Sequence, residues 1–294
     1  MLSTPDAPKA KGWSAPPTGL PDGMASFHDV LPVRLIATPR KDFRTCRTDE
    51  PLAQVLERNA EGFDYFPVTA HGAGGEERIV GLLNLVPFLK REEPAAGLAG
   101  ERTQRLSEDN LIGADASILA FVRGADRHGC RLVVSGAKVT GLVSLSDLQK
   151  LPVRAALFAI ITHAEMTMAD AIRREFGGTD GWMEELSDGR KSKIQTEFDQ
   201  AVSDDNVVDR LLFTQFVDKV TLLKKSPSFT ASKTRFEADM QTAQDLRNKL
   251  AHANDYAASR DAAAQVCATV RMIEHWIAQL SEWPASAPTA TGGH

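Results

Sequence analysis

Residues 131–148 read RLVVSGAKVTGLVSLSDL, and residues 66–88 read FPVTAHGAGGEERIVGLLNLVPF. Both stretches follow one scheme. A short apolar run meets a Gly-containing turn, a second apolar run reaches Gly and two apolar residues, and a polar residue then opens a new apolar segment. Two short runs rich in Val, Leu and Ile around such a turn predict a strand pair. Tyr65–Thr69 and Arg78–Leu83 are the strands of the first copy, and Arg131–Ser135 and Val139–Val143 those of the second. Ahead of each pair lies a helical pattern, Leu52–Asn59 and Ser117–Gly124. After each a helix opens, near Leu85 and near Ser146. A helix–strand–strand–helix unit therefore occurs twice. One copy is too small to bury its own core, so the two are expected to pack as a single α+β module over residues 29–151.

Beyond Leu151 the period changes. Apolar residues recur at spacings of three and four over Val153–Phe176, Asp205–Leu223, Ser232–His252 and Asp261–Leu280, with breaks at Gly177-Gly178 and Ser226-Pro227-Ser228. That is the pattern of amphipathic helices packed together, so residues 152–283 are expected to form an all-α bundle. Residues 1–28 and 284–294 are rich in Pro, Gly, Ala and Ser, and disorder is expected there.

Of the 294 residues, 43% are hydrophobic and 25% charged, as in globular chains that build an apolar core. The longest apolar run, near Ala155–Ile161, falls short of the roughly 20 residues a membrane span needs, and residues 1–23 lack the apolar stretch of a signal peptide. A cytoplasmic protein with no membrane partner is expected. Cys46, Cys130 and Cys267 form no CxxC pair, which points to three reduced thiols. The net charge of -5 argues against a broad nucleic-acid footprint. Lys219, Lys224, Lys225, Lys233 and Arg235 make a local basic run, read either as an RNA guide or as a solvated face.

The segment Gly141-Leu142-Val143-Ser144-Leu145-Ser146-Asp147 resembles the motif of CBS domains, in which Gly and two apolar residues precede Ser or Thr, two further residues and Asp. A hydroxyl there caps a helix whose N-terminus faces a phosphate, and the carboxylate can accept from both ribose hydroxyls. The resemblance implies a tandem CBS module that senses an adenine nucleotide of the AMP, ADP or ATP type. It places Ser144 at the phosphate, Asp147 at the ribose and Arg131 as an added phosphate contact. The first copy departs from the motif, with Asn84 for the hydroxyl and Pro87 for the acid, so one site per chain is expected. A bare capping box at Ser144 and Asp147 is the alternative.

Within the third long helix, Arg247-Asn248 and His252 resemble the Arg–polar–…–His motif of HEPN ribonucleases, which are helical. Asn248 and His252 are four apart and share a helix face, with Arg247 on its flank. RNA supplies its own 2′-hydroxyl nucleophile; His moves protons near neutral pH, and Arg offers charge to the phosphate. Such a site needs no metal. Glu165 is a candidate to orient Arg247, or else a solvent-facing carboxylate. Arg123…His128 has the same Arg-to-His spacing, but Gly124 interrupts it and no Asn follows. The combined resemblance implies a nucleotide-regulated, metal-independent endoribonuclease of stress response or phage defence. It is expected to act on an RNA substrate as a homodimer, since one His does not easily serve as both base and acid. The alternative is a non-catalytic, nucleotide-sensing interaction protein.

Overall fold

The computed structural model describes residues 31–72, 74–204, 209–252 and 255–284. Of the two segments expected to be disordered, all but Pro284 lies outside these residues. Contacts divide the described residues into two units, 31–159 with 246–271 and 160–245 with 272–284. The sequence division at 151/152 grouped 152–283 together; by contact, 246–271 belong with the strands.

The first unit holds two four-stranded sheets. Strand β1 (Thr38–Pro39) is followed by β2 (Cys46–Arg47), helix α1 (Leu52–Glu57), β3 (Tyr65–His71), β4 (Glu77–Asn84), helix α2 (Val86–Leu89) and β5 (Gln104–Arg105). The second copy supplies β6 (Leu111–Gly113), α3 (Ile118–Val122), β7 (Cys130–Ser135) and β8 (Lys138–Ser144). One sheet runs β2-β3-β4-β5 and the other β6-β7-β8-β1. Each has a parallel pair followed by two antiparallel pairs, so the copies match strand for strand. Even the register shift recurs, between Val68 and Thr69 and between Val133 and Val134. The outer strand is exchanged: β1, at the start of the chain, completes the sheet of the second copy.

This exchange explains the Gly of the repeated motif. Gly81 stands opposite Val68, and Gly141 opposite Val133. A Cβ on Gly81 would lie 2.2 Å from the Gln104 carbonyl oxygen of β5, and one on Gly141 2.8 Å from the Thr38 carbonyl oxygen of β1. The short outer strand crosses too close for any side chain.

Alternation along β3 and β4 builds two cores. Phe66, Val68, Leu83 and Leu85 pack with Leu52 and Val55 of α1 and Phe88 of α2. On the other face, Ile79 and Leu82 of the first sheet meet Cys130 and Leu132 of the second. The three thiols are buried and free, and burial pushes Cys46 and Cys130 up to about 12 and Cys267 to about 11.

Beyond the strands come α4 (Leu151–Glu175), α5 (Asp188–Ser203), α6 (Phe216–Lys225), α7 (Lys233–Ala251) and α8 (Arg260–Ser281). Helix α4 has the length and apolarity to cross a bilayer, with mean hydropathy 1.3 over an 18-residue window. The sequence reading missed this because its polar residues are scattered rather than flanking. Since 56% of that window is buried, it has the character of a core helix. Its buried stripe is Val153, Ala156, Leu157, Ile160, Ile161, Ala164, Met168, Ala171 and Ile172. Phe158 and Met166, apolar residues within the periodic segment Val153–Phe176, are exposed.

Three other expectations change. Helix α5 carried no periodic signal because Ile194 is its one buried residue. The helix expected over Asp205–Leu223 starts only at Phe216. Residues 205–208 lie outside the described set, and Arg210–Phe213 form a 3₁₀ turn that ends where the Thr214 hydroxyl donates to the Leu211 carbonyl at 2.6 Å. After Ser144 the chain makes a 3₁₀ turn, Leu145–Gln149, rather than an α-helix.

The second unit has its own aromatic centre. Phe236 is fully buried, with ring centroids 5.1 Å from Phe229 and 4.8 Å from Trp276. The indole of Trp276 donates to Asp239 at 2.8 Å, and that of Trp283 to Glu175 at 3.0 Å. Burial raises the Glu175 carboxyl, but hydrogen bonds from Ser226, Ser228 and Trp283 outweigh it and hold the group below the ordinary range.

Candidate functional site

Strand β8 ends at Ser144, whose extended backbone turns the chain into Leu145–Gln149. The Ser144 amide donates to Asp147 Oδ2 at 2.6 Å, and its hydroxyl lies 3.3 Å from the same oxygen and 2.8 Å from the Ser146 hydroxyl. Asp147 is 5% exposed, with Lys150 Nζ 2.7 Å from its other oxygen. Lys150 in turn donates to the Ile36 carbonyl. The carboxylate thus fastens the turn, as the capping alternative requires.

It also borders a cleft. A cavity of about 570 Å³ opens in the first unit, lined by Ser144, Leu145, Ser146 and Asp147. Phe43, Phe63, Tyr65, Phe66 and Leu142 give it apolar and aromatic walls. Thr38 of β1 and Cys130 of β7 line it as well. Tyr65 lies over Gly129, where a Cβ would come 2.6 Å from the phenol oxygen. Burial raises the Tyr65 hydroxyl, against the pull of Arg260.

The remaining wall is one that sequence reasoning did not find. Ala257, Ala258, Ser259, Arg260 and Ala263, at the start of α8, line the same cleft. Ser259 caps the helix, its hydroxyl accepting from the Ala262 amide at 3.1 Å. Arg260 Nη2 donates to Asp64 at 3.0 Å. The segment is pinned to the strands' unit at several points. The Tyr256 hydroxyl donates to the Leu148 carbonyl, and the Gln149 amide to Asp255. Arg271 forks onto Asp126 at 2.9 and 2.7 Å and donates to the Arg123 carbonyl at 2.7 Å. The Arg271 guanidinium holds the Asp126 carboxyl below its ordinary range. An S-R-D sequence at a helix start is common, and its nearness to Ser144 depends on the fold, so a single sequence carried no signal for it.

Arg131 does not line the cleft. Cys130 does, and successive strand residues face opposite ways, so Arg131 points to the far face, with Nη2 3.1 Å from where a Cβ on Gly124 would stand. Its Nε is buried without a hydrogen-bond partner among the described residues, and burial lowers its affinity for the proton. In the first copy, Asn84 Oδ1 accepts from the Val86 amide at 3.0 Å, and Pro87 sits in the first turn of α2.

Arg247, Asn248 and His252 lie at the C-terminal end of α7. Arg247 is half-buried, Asn248 and His252 are exposed, and the His252 amide donates to the Asn248 carbonyl at 3.1 Å. Arg154 Nη1 donates to the Leu250 carbonyl at 2.7 Å and so caps this helix end. None of the three lines the cleft. In the second unit, Glu165 is partly buried and takes Lys219 Nζ at 3.1 Å; it does not stand free in solvent. The basic run is largely neutralised: besides Lys219, Lys224 pairs with Glu237, Lys225 with Glu185 and Arg235 with Asp239.

No family model matches the chain, and no curated protein does. Among solved structures, the chain is similar to the CBS domain of a bacterial CNNM/CorC family Mg2+ transporter in complex with ATP. Identity is 21%, 42% of this chain and 88% of that chain are covered, and the TM-score is 0.35. It is similar to the CBS domains of a transcriptional regulator from Streptococcus pneumoniae, at 18% identity, 41% and 98% coverage and a TM-score of 0.32. A CBS-pair protein from Arabidopsis thaliana gives 17%, 43%, 94% and 0.33.

Proposed function

We propose that this chain is a nucleotide-responsive protein of the CBS type, binding one adenine nucleotide of the AMP, ADP or ATP kind per chain. The observation that carries the reading is the cleft itself. Its volume lies within the range of small-ligand sites, roughly 300–1,000 Å³. It sets aromatic walls beside the hydroxyls and carboxylate of Ser144, Ser146 and Asp147. An adenine ring suits the former and a ribose phosphate the latter. The ligand oxygens meet a turn already fixed by the Ser144–Asp147 bonds, so little ordering cost falls on binding.

Calorimetry tests this. AMP, ADP or ATP is expected to bind with a stoichiometry of one. Asp147→Asn keeps an acceptor for the Ser144 amide but removes the charge. A hydrogen bond to a charged group contributes about 1.5–3 kcal/mol, so affinity should fall roughly 10- to 100-fold. Asn84→Ala, in the first copy, should leave it within about twofold. Two equal sites, or unchanged affinity in Asp147→Asn, would refute the assignment.

A second reading concerns the effector. Asn248 and His252 stand exposed one turn apart, at the helix end that precedes the cleft segment. In this reading Arg247, Asn248 and His252 cleave RNA in a homodimer, with no metal, in a cytoplasmic stress or defence role; the exposure of Asn248 and His252 outside the cleft suits the rival reading of a non-catalytic interaction protein better. RNA incubated with the protein and EDTA should give 2′,3′-cyclic phosphate ends, while DNA stays intact. His252→Ala should slow cutting at least about 100-fold. A native protein that cuts no RNA would leave the interaction-protein reading in its place, and a His252→Ala protein that cuts at the native rate would remove His252 from the chemistry.

A further inference from the structure

We infer that Arg260, at the start of α8, recognises the phosphate of the bound ligand, so that the C-terminal segment is part of the nucleotide site. This rests on the cleft being that site.

Two cations line the cleft, Arg44 and Arg260. Arg44 has both terminal nitrogens engaged by groups outside the cleft lining, Nη1 by the Arg58 carbonyl at 2.9 Å and Nη2 by Glu61. Arg260 is differently placed. Its Nη2 donates to Asp64, itself a cleft residue, and both side chains are about half exposed, at 46% and 53%. A guanidinium has five N–H groups in a planar fork, so donors remain for a phosphate oxygen. Asp64 holds the group at the cleft wall. Tyr256, Gln149 and Arg271 fix the backbone that carries it. The position is therefore set before ligand arrives, as charge recognition requires.

The acids temper the site. Asp42, Asp64 and Asp147 also line the cleft, so its walls do not form a general anion trap. What selects a phosphate is the one fork of donors that Arg260 brings to a cleft otherwise lined by aromatic and acidic groups. The chemical class is a nucleoside bearing at least one phosphate, with the nucleoside itself bound more weakly.

The test compares adenosine with AMP by calorimetry on the full chain. The native protein is expected to prefer AMP by about 10- to 100-fold, the strength of a charge-assisted hydrogen bond. Arg260→Ala should bring AMP down to the adenosine level and leave adenosine unchanged within about twofold. Arg260→Lys should keep part of the preference, as a point charge without the fork. A melting curve for each variant checks that α8 remains docked. If Arg260→Ala is folded and keeps the native AMP-to-adenosine ratio, the inference is overturned while the nucleotide site stands. If neither ligand binds the native protein, both fail.

Discussion

Phe236→Ala is expected to destabilise the protein by about 3–5 kcal/mol, which at this chain length lowers Tm by roughly 6–15 °C. The ring has no exposed surface and sits between Phe229 and Trp276. Truncation removes its transfer free energy and leaves a cavity that the rigid neighbours cannot fill. The tilted and edge-on geometries add about 0.5–1.5 kcal/mol per pair beyond area burial. Trp276 cannot move into the gap without losing its 2.8 Å bond to Asp239, which keeps the cavity open. Phe236→Leu, which fills most of the volume, should cost less than half as much. Thermal or urea unfolding measures both; a loss under 1 kcal/mol for the alanine variant would show that the aromatic centre does not bear on stability.

Glu165→Ala is expected to cost about 3 kcal/mol, the low end for breaking a buried ion pair. Lys219 is 5% exposed, and its ammonium is satisfied by Glu165 at 3.1 Å and the Thr214 carbonyl at 2.9 Å. Without the carboxylate, the buried ammonium loses the oxygen that stands 3.1 Å away. Glu165 keeps about a fifth of its side-chain surface, which lets water in and moderates the loss. The informative comparison is the double variant Glu165→Leu with Lys219→Met. Replacing both partners with apolar groups of like size removes the stranded charge, so most of the stability should return. A double variant as unstable as Glu165→Ala would mean that packing, not the pair, sets the cost.

The same two residues show what a sequence conveys. Lys219 read as part of a basic run and Glu165 as a helix carboxylate, because charge is visible in a sequence and pairing is not. The repeat was legible, since strand pairs and their turns are local and occur twice. Strands β1, β2, β5 and β6 were not, because two or three residues carry no period. Ser144 and Asp147, named from their spacing, both line the cleft. Arg131 was placed in the site on nearness along the chain, although strand alternation turns it to the other face. The Ser259–Arg260 wall was missed because a contact across more than 100 residues leaves no local trace. The Arg247–His252 motif was legible as residues on a helix, and its chemistry awaits the RNA experiment.

The exchange of outer strands bears on how the chain can assemble. Thr38 pairs with Leu142, so β1 waits for a partner made roughly a hundred residues later. Until β8 is synthesised, the first copy can complete its own sheet with β5, but the segment that leads the chain has nowhere to dock. The entropy of closing that loop must be met before the β1–β8 pairing contributes. Thr38 also lines the ligand cleft, so the pocket is finished by the last strand to arrive. Ligand present during refolding should therefore act on the final step, holding β1 once it has landed rather than hastening the collapse that precedes it.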